Sequence, residues 1–214
     1  MKLYDFAFSP NSRKVRAVLY ELGVPFDLAP VDLLTGAQRS PAFLAVNPNG
    51  RVPALEDDGL VLWESNAILT YLATKYPGAT PLLPSNPRDR AEVDRWLAWQ
   101  LAHLGPAGTK VAFERIVKKA LNLGAPDQAL IDAGTAEWKA LTAILDGSLG
   151  DKEYLAGRLS VADFALAAPY SVHAACGLDV TPYKKVNAWL GRVLGRDSMR
   201  RVLAEAQTSM AKAS

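Results

Sequence analysis

A serine hydroxyl at the start of an amphipathic helix is the first group in this sequence that could do chemistry. Ser9 follows a short apolar segment and precedes a proline, so it lies on the turn between a predicted strand and a predicted helix. Unpaired backbone N–H groups and the positive end of the helix dipole meet at such a turn. A ligand that contacts Ser9 is therefore expected to carry negative charge. The alternative is that Ser9 only caps the helix.

Two further segments carry groups that suit the same kind of ligand. Pro53 opens a predicted strand, and a cis bond after Val52 would direct the Val52 N–H and C=O outward as a short edge that pairs with a peptide ligand. Ser65 is predicted to cap a second helix, whose first N–H groups can bind a carboxylate. Together with Ser9, these segments predict a site for a small ligand that contains peptide bonds and carboxylates.

The elements that position these groups follow from hydrophobic periodicity. The predicted strands are residues 2–6, 26–31, 52–56 and 60–63. The predicted helices among them are residues 12–22, 42–46 and 65–76. Asp57-Asp58-Gly59 indicates a hairpin between the last two strands. This order predicts a small mixed α/β sheet with helices packed on it.

A proline-rich segment is the predicted domain boundary. The four prolines within residues 77–87 are incompatible with a helix or a central strand in this segment. From Arg88 onward only helical periodicity remains. The sequence therefore predicts an α/β domain over residues 1–78, a linker over residues 79–87 and an all-α domain over residues 88–214. Within the last part, Ser160-Val161-Ala162-Asp163 predicts a capping box, and Gly105-Pro106 predicts a break between helices.

The composition argues against several kinds of partner. The 24 basic and 22 acidic residues form no basic run that would follow a phosphate backbone, so we expect no nucleic acid. One cysteine, Cys176, excludes an internal disulfide, and two histidines do not supply a common zinc site, so no metal is expected. No apolar segment approaches the ~20 residues that span a bilayer. We expect a cytoplasmic protein with no membrane span, in which Cys176 is buried and inert.

Over essentially its whole length the chain resembles the cytosolic glutathione transferases. The segments that carry the resemblance are Met1-Lys2-Leu3-Tyr4, Val52-Pro53-Ala54-Leu55, Glu64-Ser65-Asn66-Ala67-Ile68-Leu69-Thr70-Tyr71-Leu72 and Tyr154-Leu155-Ala156-Gly157-Arg158-Leu159-Ser160-Val161-Ala162-Asp163. The resemblance implies a thioredoxin-like N-terminal domain, an all-α C-terminal domain and a homodimer. It also implies an enzyme that uses glutathione as co-substrate and conjugates its thiolate to small hydrophobic electrophiles, or displaces halide from them, in detoxification or catabolism.

The N-terminal turn is most similar to that of the serine-type members, the theta, delta and phi classes and their bacterial relatives. Ser9-Pro10-Asn11-Ser12-Arg13 carries this similarity. It implies that Ser9 donates a hydrogen bond to the glutathione sulfur and stabilises a thiolate whose free thiol has a pKa of about 8.5. Ser12 is the second candidate. Tyr4 is the rival because other classes use an N-terminal tyrosine, but it lies inside the first predicted strand.

The remaining contacts are likewise implied by the resemblance. Glu64 and Ser65 would hold the γ-glutamyl end, and Val52, followed by Pro53, would pair with the cysteinyl backbone. The residues at the positions that bind the glycine carboxylate in related proteins are Gln38, Arg39 and Arg51. For the two arginines, a solvated surface charge is the alternative. The residues implied for the acceptor pocket are Phe8, Val111, Phe113 and Arg115, and a core position is the alternative for Phe113.

Other functions share this fold. A glutathione transferase-like binding or stress-related module with little catalysis is one, since fold does not imply function. Reduction of disulfides or peroxides normally uses a cysteine near position 9, where this sequence has none. Some theta-like members also reach an acid across the dimer, but the aligned position is Ala102, with Asp94 as a weak substitute. The intact Ser9, Val52-Pro53 and Glu64-Ser65 favour transfer.

Overall fold

The structure, a computed structural model, describes residues 1–78 and 81–213. Residues 79 and 80 of the predicted linker and residue 214 of the predicted all-α domain lie outside the described residues. The chain forms two compact units, one comprising Met1–Leu83 and Gly195–Ser214 and the other Pro84–Leu194. The second unit thus begins inside the predicted linker, and the C-terminal segment groups with the first unit, whereas the sequence predicts it as part of the all-α domain.

The first unit contains a four-stranded mixed sheet. Its strands are β1 Lys2–Asp5, β2 Asp27–Pro30, β3 Ala54–Asp57 and β4 Leu60–Trp63. The helices between and after them are α1 Pro10–Leu22, α2 Pro41–Val46 and α3 Ser65–Lys75. The strand order is β2-β1-β3-β4, with β1 parallel to β2 and antiparallel to β3, and β3 antiparallel to β4. This order confirms the predicted α/β class of the N-terminal part.

Local sequence explains where these elements begin and end. Ser9 caps α1 in an extended backbone conformation, and Pro10 occupies the first helical turn, where a missing N–H costs no helical bond. The helix ends at Gly23, whose φ of 66° is left-handed. Asp58 and Gly59 both have positive φ at the β3–β4 turn, as the predicted hairpin requires. The Val52–Pro53 bond is cis.

The second unit is all helical, which confirms the predicted class of the C-terminal part. Its helices are α4 Pro87–Trp99, α5 Gly105–Ala112, α6 Lys118–Ala120, α7 Gln128–Leu149, α8 Val161–Tyr170 and α9 Lys184–Leu194. None of the helices in the described part of the chain has the length and apolar character that a membrane crossing needs. Cys176 is a buried free thiol, as predicted, and burial raises the pKa of this thiol.

The predicted helix break at Gly105-Pro106 is wrong. Helices α4, α5 and α6 follow one another directly, joined by π-helical turns over Gln100–Leu104 and Phe113–Val117. In a π turn, each backbone hydrogen bond joins residues five positions apart instead of four. Pro106 follows the π turn over Gln100–Leu104 and lies in the first turn of α5. The proline therefore occupies a position at which its missing N–H does not interrupt a regular run of bonds.

The predicted capping box at the start of α8 is confirmed. Ser160 is the N-cap, and the side chain of Asp163 accepts hydrogen bonds from the Ser160 backbone N–H at 2.9 Å and from its hydroxyl at 3.1 Å. The same carboxylate accepts from the Leu155 N–H at 3.0 Å and from Trp189 Nε1 at 2.8 Å. Burial raises the pKa of Asp163, and these four bonds oppose that effect. One carboxylate thus joins α8, α9 and the preceding loop.

The C-terminal helix α10, Asp197–Ala213, packs on α1 within the first unit. The buried Arg16 forms ion pairs with Asp5 at 3.4 Å and with Glu205 of α10 at 3.1 Å. The Tyr20 hydroxyl donates to the other oxygen of Glu205 at 2.9 Å. These contacts explain why the helix belongs with the first unit. Sequence periodicity reveals its amphipathic face but not which surface that face covers.

Candidate functional site

The turn between β1 and α1 presents the Ser9 hydroxyl at the N-terminus of a helix. Ser9 is half-buried, its N–H donates to the Phe6 carbonyl at 2.9 Å, and its Oγ accepts from the Ser12 N–H at 3.4 Å. The capping function predicted as the alternative is therefore present. This cap uses the Ser9 oxygen as an acceptor, and among the residues that the structure describes the hydroxyl hydrogen is donated to none, so it can point at a ligand.

The two rival hydroxyls lie in different surroundings. Ser12 is fully buried, and its Oγ accepts from the Phe6 N–H at 3.4 Å. The Tyr4 hydroxyl donates to Glu56 Oε1 at 2.8 Å, in the neighbouring strand. Beside them, Arg13 donates from Nε to the Ala7 carbonyl at 3.1 Å and so holds the turn. Burial lowers the pKa of Arg13 to about 10, which keeps its charge at neutral pH.

The segments predicted for the glycine and cysteinyl parts come close together. Val52 is buried and lies beyond the last pair of the β1–β3 ladder, which ends at Tyr4 and Ala54. A Cβ at Gly50 would lie 2.9 Å from Arg39 Nη1 and 2.9 Å from the Gln38 carbonyl, so only glycine allows this approach.

The three side chains of this region differ in exposure. Arg39 and Arg51 are exposed. Gln38 Oε1 is buried, and no group among the described residues donates a hydrogen bond to it. An unused buried acceptor is costly unless a ligand or water satisfies it. Of these three side chains, Gln38 is therefore the one whose buried oxygen calls for a donor from a ligand or a water molecule.

The start of α3 differs from the prediction in its cap. The N-cap is Glu64, without a side-chain capping bond, and Ser65 is the first helical residue, so the prediction that Ser65 caps this helix is wrong. Glu64 has a φ of 71°, a region in which a non-glycine residue is strained by about 1–3 kcal/mol. Its side chain is exposed, and the N–H of Ser65, the first helical residue, has no partner within the helix. Strain of this kind is common at binding sites.

Sequence reasoning missed one charged group beneath this surface. Lys14 of α1 is buried, and its Nζ donates to Asn66 Oδ1, in the first turn of α3, at 2.6 Å. Burial lowers the pKa of Lys14 to about 7, against the favourable field of Glu64. The signal in the sequence was its spacing, because Lys14 lies four residues before Val18 on the apolar face of the helix.

The residues predicted for an acceptor pocket lie in both units. In the first unit, Phe8 contacts Phe6 edge to face, with ring centroids 5.2 Å apart, and both rings line a groove of about 590 Å³ next to α10. In the second unit, Val111 is a fully buried core residue, while Phe113 is 41% exposed and thus not a core residue. Arg115 donates to the Cys176 carbonyl at 2.6 Å. Among the described side chains, no group of three or more metal-ligating residues could hold a metal ion.

Comparison with protein families covers both parts of the chain. Residues 3–80 match the glutathione S-transferase N-terminal domain, and residues 104–197 match the glutathione S-transferase C-terminal domain.

Curated proteins and solved structures agree with these matches. The chain is 34% identical over 212 residues to glutathione S-transferase 3 of Zea mays, covering 95% of this chain and 93% of that protein. It is 36% identical over 201 residues to the glutathione S-transferase GstB of Escherichia coli K12, covering 91% and 93%. The crystal structure of glutathione transferase F7 from Populus trichocarpa superposes with a TM-score of 0.87 at 32% identity, covering 96% of this chain and 98% of that one.

Proposed function

The chain belongs to the glutathione S-transferase family, and from this membership we propose that it transfers the glutathione thiolate to small hydrophobic electrophiles, with Ser9 as the hydrogen-bond donor to the sulfur. The observation that carries the proposal is the Ser9 hydroxyl, half-buried at the N-terminus of α1, whose hydrogen is donated to no group among the described residues. The helix dipole and this donor both favour a thiolate over a thiol.

Ser9 is preferred to its rivals on geometric grounds. Ser12 is fully buried and accepts a hydrogen bond from the backbone of Phe6, so it reaches no ligand without rearrangement. The Tyr4 hydroxyl is engaged with Glu56 at 2.8 Å. These contacts support a serine-type enzyme of the theta, delta and phi kind.

The reaction that follows needs no covalent enzyme intermediate. The cysteinyl thiol of glutathione releases its proton to solvent, and the Ser9 hydroxyl donates to the resulting thiolate while keeping its own proton. The sulfur lone pair then forms a C–S bond with the electrophile. With a halide substrate, the electron pair of the carbon–halogen bond leaves with the halide ion. With an activated alkene, the π-electron pair of the double bond takes up a proton from solvent.

The rest of glutathione is assigned to the groups around Ser9. The γ-glutamyl carboxylate binds the N–H of Ser65 at the start of α3, and the γ-glutamyl amine binds Glu64. Val52, before the cis bond to Pro53, pairs with the cysteinyl backbone. The glycine carboxylate contacts Gln38, Arg39 and Arg51. The orphan acceptor of Gln38 supports a ligand at this position.

The proposal also covers the site for the electrophile, the oligomeric state and the compartment. In the first unit, Phe8 is proposed to contact the electrophile, and its apolar ring favours an apolar one. In the second unit, Val111 is fully buried and is not proposed as a contact. A homodimer in the cytoplasm is proposed from family membership. The alternative function, a glutathione-binding module with little catalysis, differs in having no stabilised thiolate.

The test is an ultraviolet titration of bound glutathione thiolate in the wild type and in Ser9→Ala. A hydrogen bond to a charged group is worth about 1.5–3 kcal/mol, so we expect the pKa of the bound thiol to rise by about 1–2 units. Turnover of a model aryl halide at neutral pH should fall about 10-fold to 100-fold, with glutathione affinity nearly unchanged.

Ser40→Ala is the matched control. Ser40 caps α2, accepts from the Phe43 N–H at 3.3 Å and precedes a proline, so this variant loses an equivalent cap without losing a sulfur donor. Its thiol pKa should stay at the wild-type value. An unchanged thiol pKa in Ser9→Ala would remove Ser9 from the mechanism, and a wild type that binds glutathione without a thiolate signal would favour the binding module.

A further inference from the structure

The groove of about 590 Å³ next to α10, here called the α10 groove, is formed entirely by residues of the first unit. One wall is apolar and comes from the β1–α1 turn and the β2 segment, with Phe6, Phe8, Leu28, Pro30 and Val31. The opposite wall is one face of α10, on which Ala204 is the small central residue. The volume lies within the range of pockets that hold small organic molecules.

The apolar wall has surface to offer to a ligand. Leu28 is 44% exposed, and Pro30, two residues further on, lies on the same side of β2 and is also exposed. The half-buried rings of Phe6 and Phe8 meet edge to face, with centroids 5.2 Å apart. Phe6 also packs against the buried Val31, which fixes its position. Such a wall suits an aromatic body, and ring faces also attract cations.

The two guanidinium groups that line the groove are already paired with carboxylates. Arg16, at 2% exposure, pairs with Asp5 at 3.4 Å and with Glu205 at 3.1 Å. Arg201 donates from Nε to Glu205 at 3.1 Å and lies over the Tyr20 ring, 3.9 Å from its centroid. An anionic ligand would therefore compete with Asp5 and Glu205 for these groups.

Asp32 is the remaining charged residue of the lining, and its charge is not compensated. It follows Val31 and is exposed. Its Oδ1 accepts from the Leu34 N–H at 2.9 Å, and no basic side chain in the described part of the chain pairs with it. A lone carboxylate and two aromatic rings thus line one groove. Both features favour a positive charge in the ligand.

We propose that the α10 groove binds a small apolar molecule with one positive charge. Its apolar body lies on Phe6, Phe8 and Leu28, and its cationic group lies beside Asp32. This site goes beyond the proposed transfer, because occupation of the groove requires neither glutathione nor a thiolate. The two proposals share Phe8, which is also the proposed contact for the electrophile.

The experiment compares three ligands that have the same naphthylmethyl body and carry a trimethylammonium, a hydroxyl or a sulfonate group. Binding is measured by isothermal titration calorimetry at low ionic strength, without glutathione or an electrophile. We expect the wild type to bind the ammonium compound about fivefold to tenfold more tightly than the alcohol, and the sulfonate most weakly. Added salt should reduce this preference. Equal affinity for the three compounds would overturn the charge assignment.

Asp32→Asn separates charge from shape. The asparagine oxygen can still accept from the Leu34 N–H, so the local turn is retained. Affinity for the ammonium compound should fall about threefold to fivefold, whereas affinity for the alcohol should stay at the wild-type value. Asp27→Asn is the matched control, since Asp27 is exposed on the same strand but does not line the groove. Equal losses in the two variants would overturn the role of Asp32.

Ala204→Trp tests the location. Ala204 is exposed on α10, so an indole there fills the groove from its helix side, and affinity for the ammonium compound and the alcohol should fall by more than about tenfold. Gln207→Trp adds the same ring to an exposed position of α10 outside the groove and should leave binding unchanged. Wild-type affinity in Ala204→Trp would place the ligand elsewhere and overturn the proposal.

A second pair of variants removes apolar surface without adding bulk, so the test does not depend on α10 accepting a tryptophan. Leu28→Gln should weaken binding of the ammonium compound and the alcohol about threefold. Leu60→Gln is its control, because Leu60 is 42% exposed on β4 and lies outside the groove. Equal effects of the two substitutions would overturn the location. A wild type that binds none of the three ligands would overturn the site and leave the proposed transfer untouched.

Discussion

Replacing Asp163 by asparagine should destabilise the protein far more than the loss of one surface charge does. The carboxylate is fully buried and accepts four hydrogen bonds, two at each oxygen. Asparagine keeps one oxygen, which suffices for the Leu155 N–H and Trp189 Nε1. Its NH₂ group then faces the backbone N–H and the hydroxyl of Ser160. The hydroxyl can rotate to accept, but the backbone N–H cannot.

The magnitude follows from these contacts. One buried N–H left without an acceptor costs about 1–3 kcal/mol, and two charge-assisted bonds become neutral ones. We expect Asp163→Asn to lower the free energy of unfolding by about 3 kcal/mol, and Asp163→Ala, which leaves all four donors unpaired, by about 5 kcal/mol. For a chain of this length, about 3 kcal/mol corresponds to a decrease in Tm of about 6–12 °C.

The assay is urea unfolding followed by far-ultraviolet circular dichroism, with Tm as a second measure. Asp132→Asn is the matched control, because Asp132 is exposed on α7 and accepts one hydrogen bond from the neighbouring side chain of Gln128. It removes the same charge and should change stability by less than about 0.5 kcal/mol. An Asp163→Asn variant whose free energy of unfolding lies within about 0.5 kcal/mol of the wild-type value would show that the four hydrogen bonds of Asp163 do not stabilise the fold as argued.

Two further predictions concern the first unit. Glu64→Gly relieves the strain of a φ of 71°, so we expect the free energy of unfolding to rise by about 1 kcal/mol. Affinity for S-methylglutathione should fall about tenfold, because the proposed partner of the γ-glutamyl amine is lost. A variant that is less stable than the wild type in urea unfolding would contradict the expected relief of strain. Glu21→Gln should cost about 1 kcal/mol at pH 7. Although burial alone would raise the pKa of Glu21, hydrogen bonds from Arg196 and Ser198 hold it below its ordinary value of 4.5. Its contribution is therefore present above pH 4.5 and lost as pH falls through the folded-state pKa, so the urea midpoints of the two proteins should converge in acid, and a constant gap would contradict the pairing.

The local elements were predictable because their signals lie within a few residues of one another. A serine cap before Pro10, a left-handed Gly23 and the Asp58-Gly59 turn define the β1–α1 unit and the hairpin in sequence and structure alike. The capping box at Ser160 was found from four residues for the same reason. The break at Gly105-Pro106 was not, because the two π turns that carry the helix past it depend on packing along the whole run.

In the candidate site, too, the features that depend on a few neighbouring residues were predictable and those that depend on the fold were not. Sequence alone indicated the residue types of an anion site at Ser9, a peptide edge at Val52 and a carboxylate site at Ser65, since each depends on a helix start or a proline. It did not indicate that Glu64 would take the strained cap position. It also left Ser9, Ser12 and Tyr4 as rivals, and their burial and hydrogen bonds, which differ in the structure, were not visible in it.

By itself the sequence determined the element order, the α/β and all-α parts and the family resemblance, because periodicity, caps and turns are local properties of the chain. The tertiary structure decided what lies beneath and beside these elements. It buried Lys14 against Asn66 at 2.6 Å and paired Arg16 of α1 with Glu205 of α10 at 3.1 Å. Such pairs join residues 52 and 189 positions apart, and their charges depend on burial that only the folded chain creates.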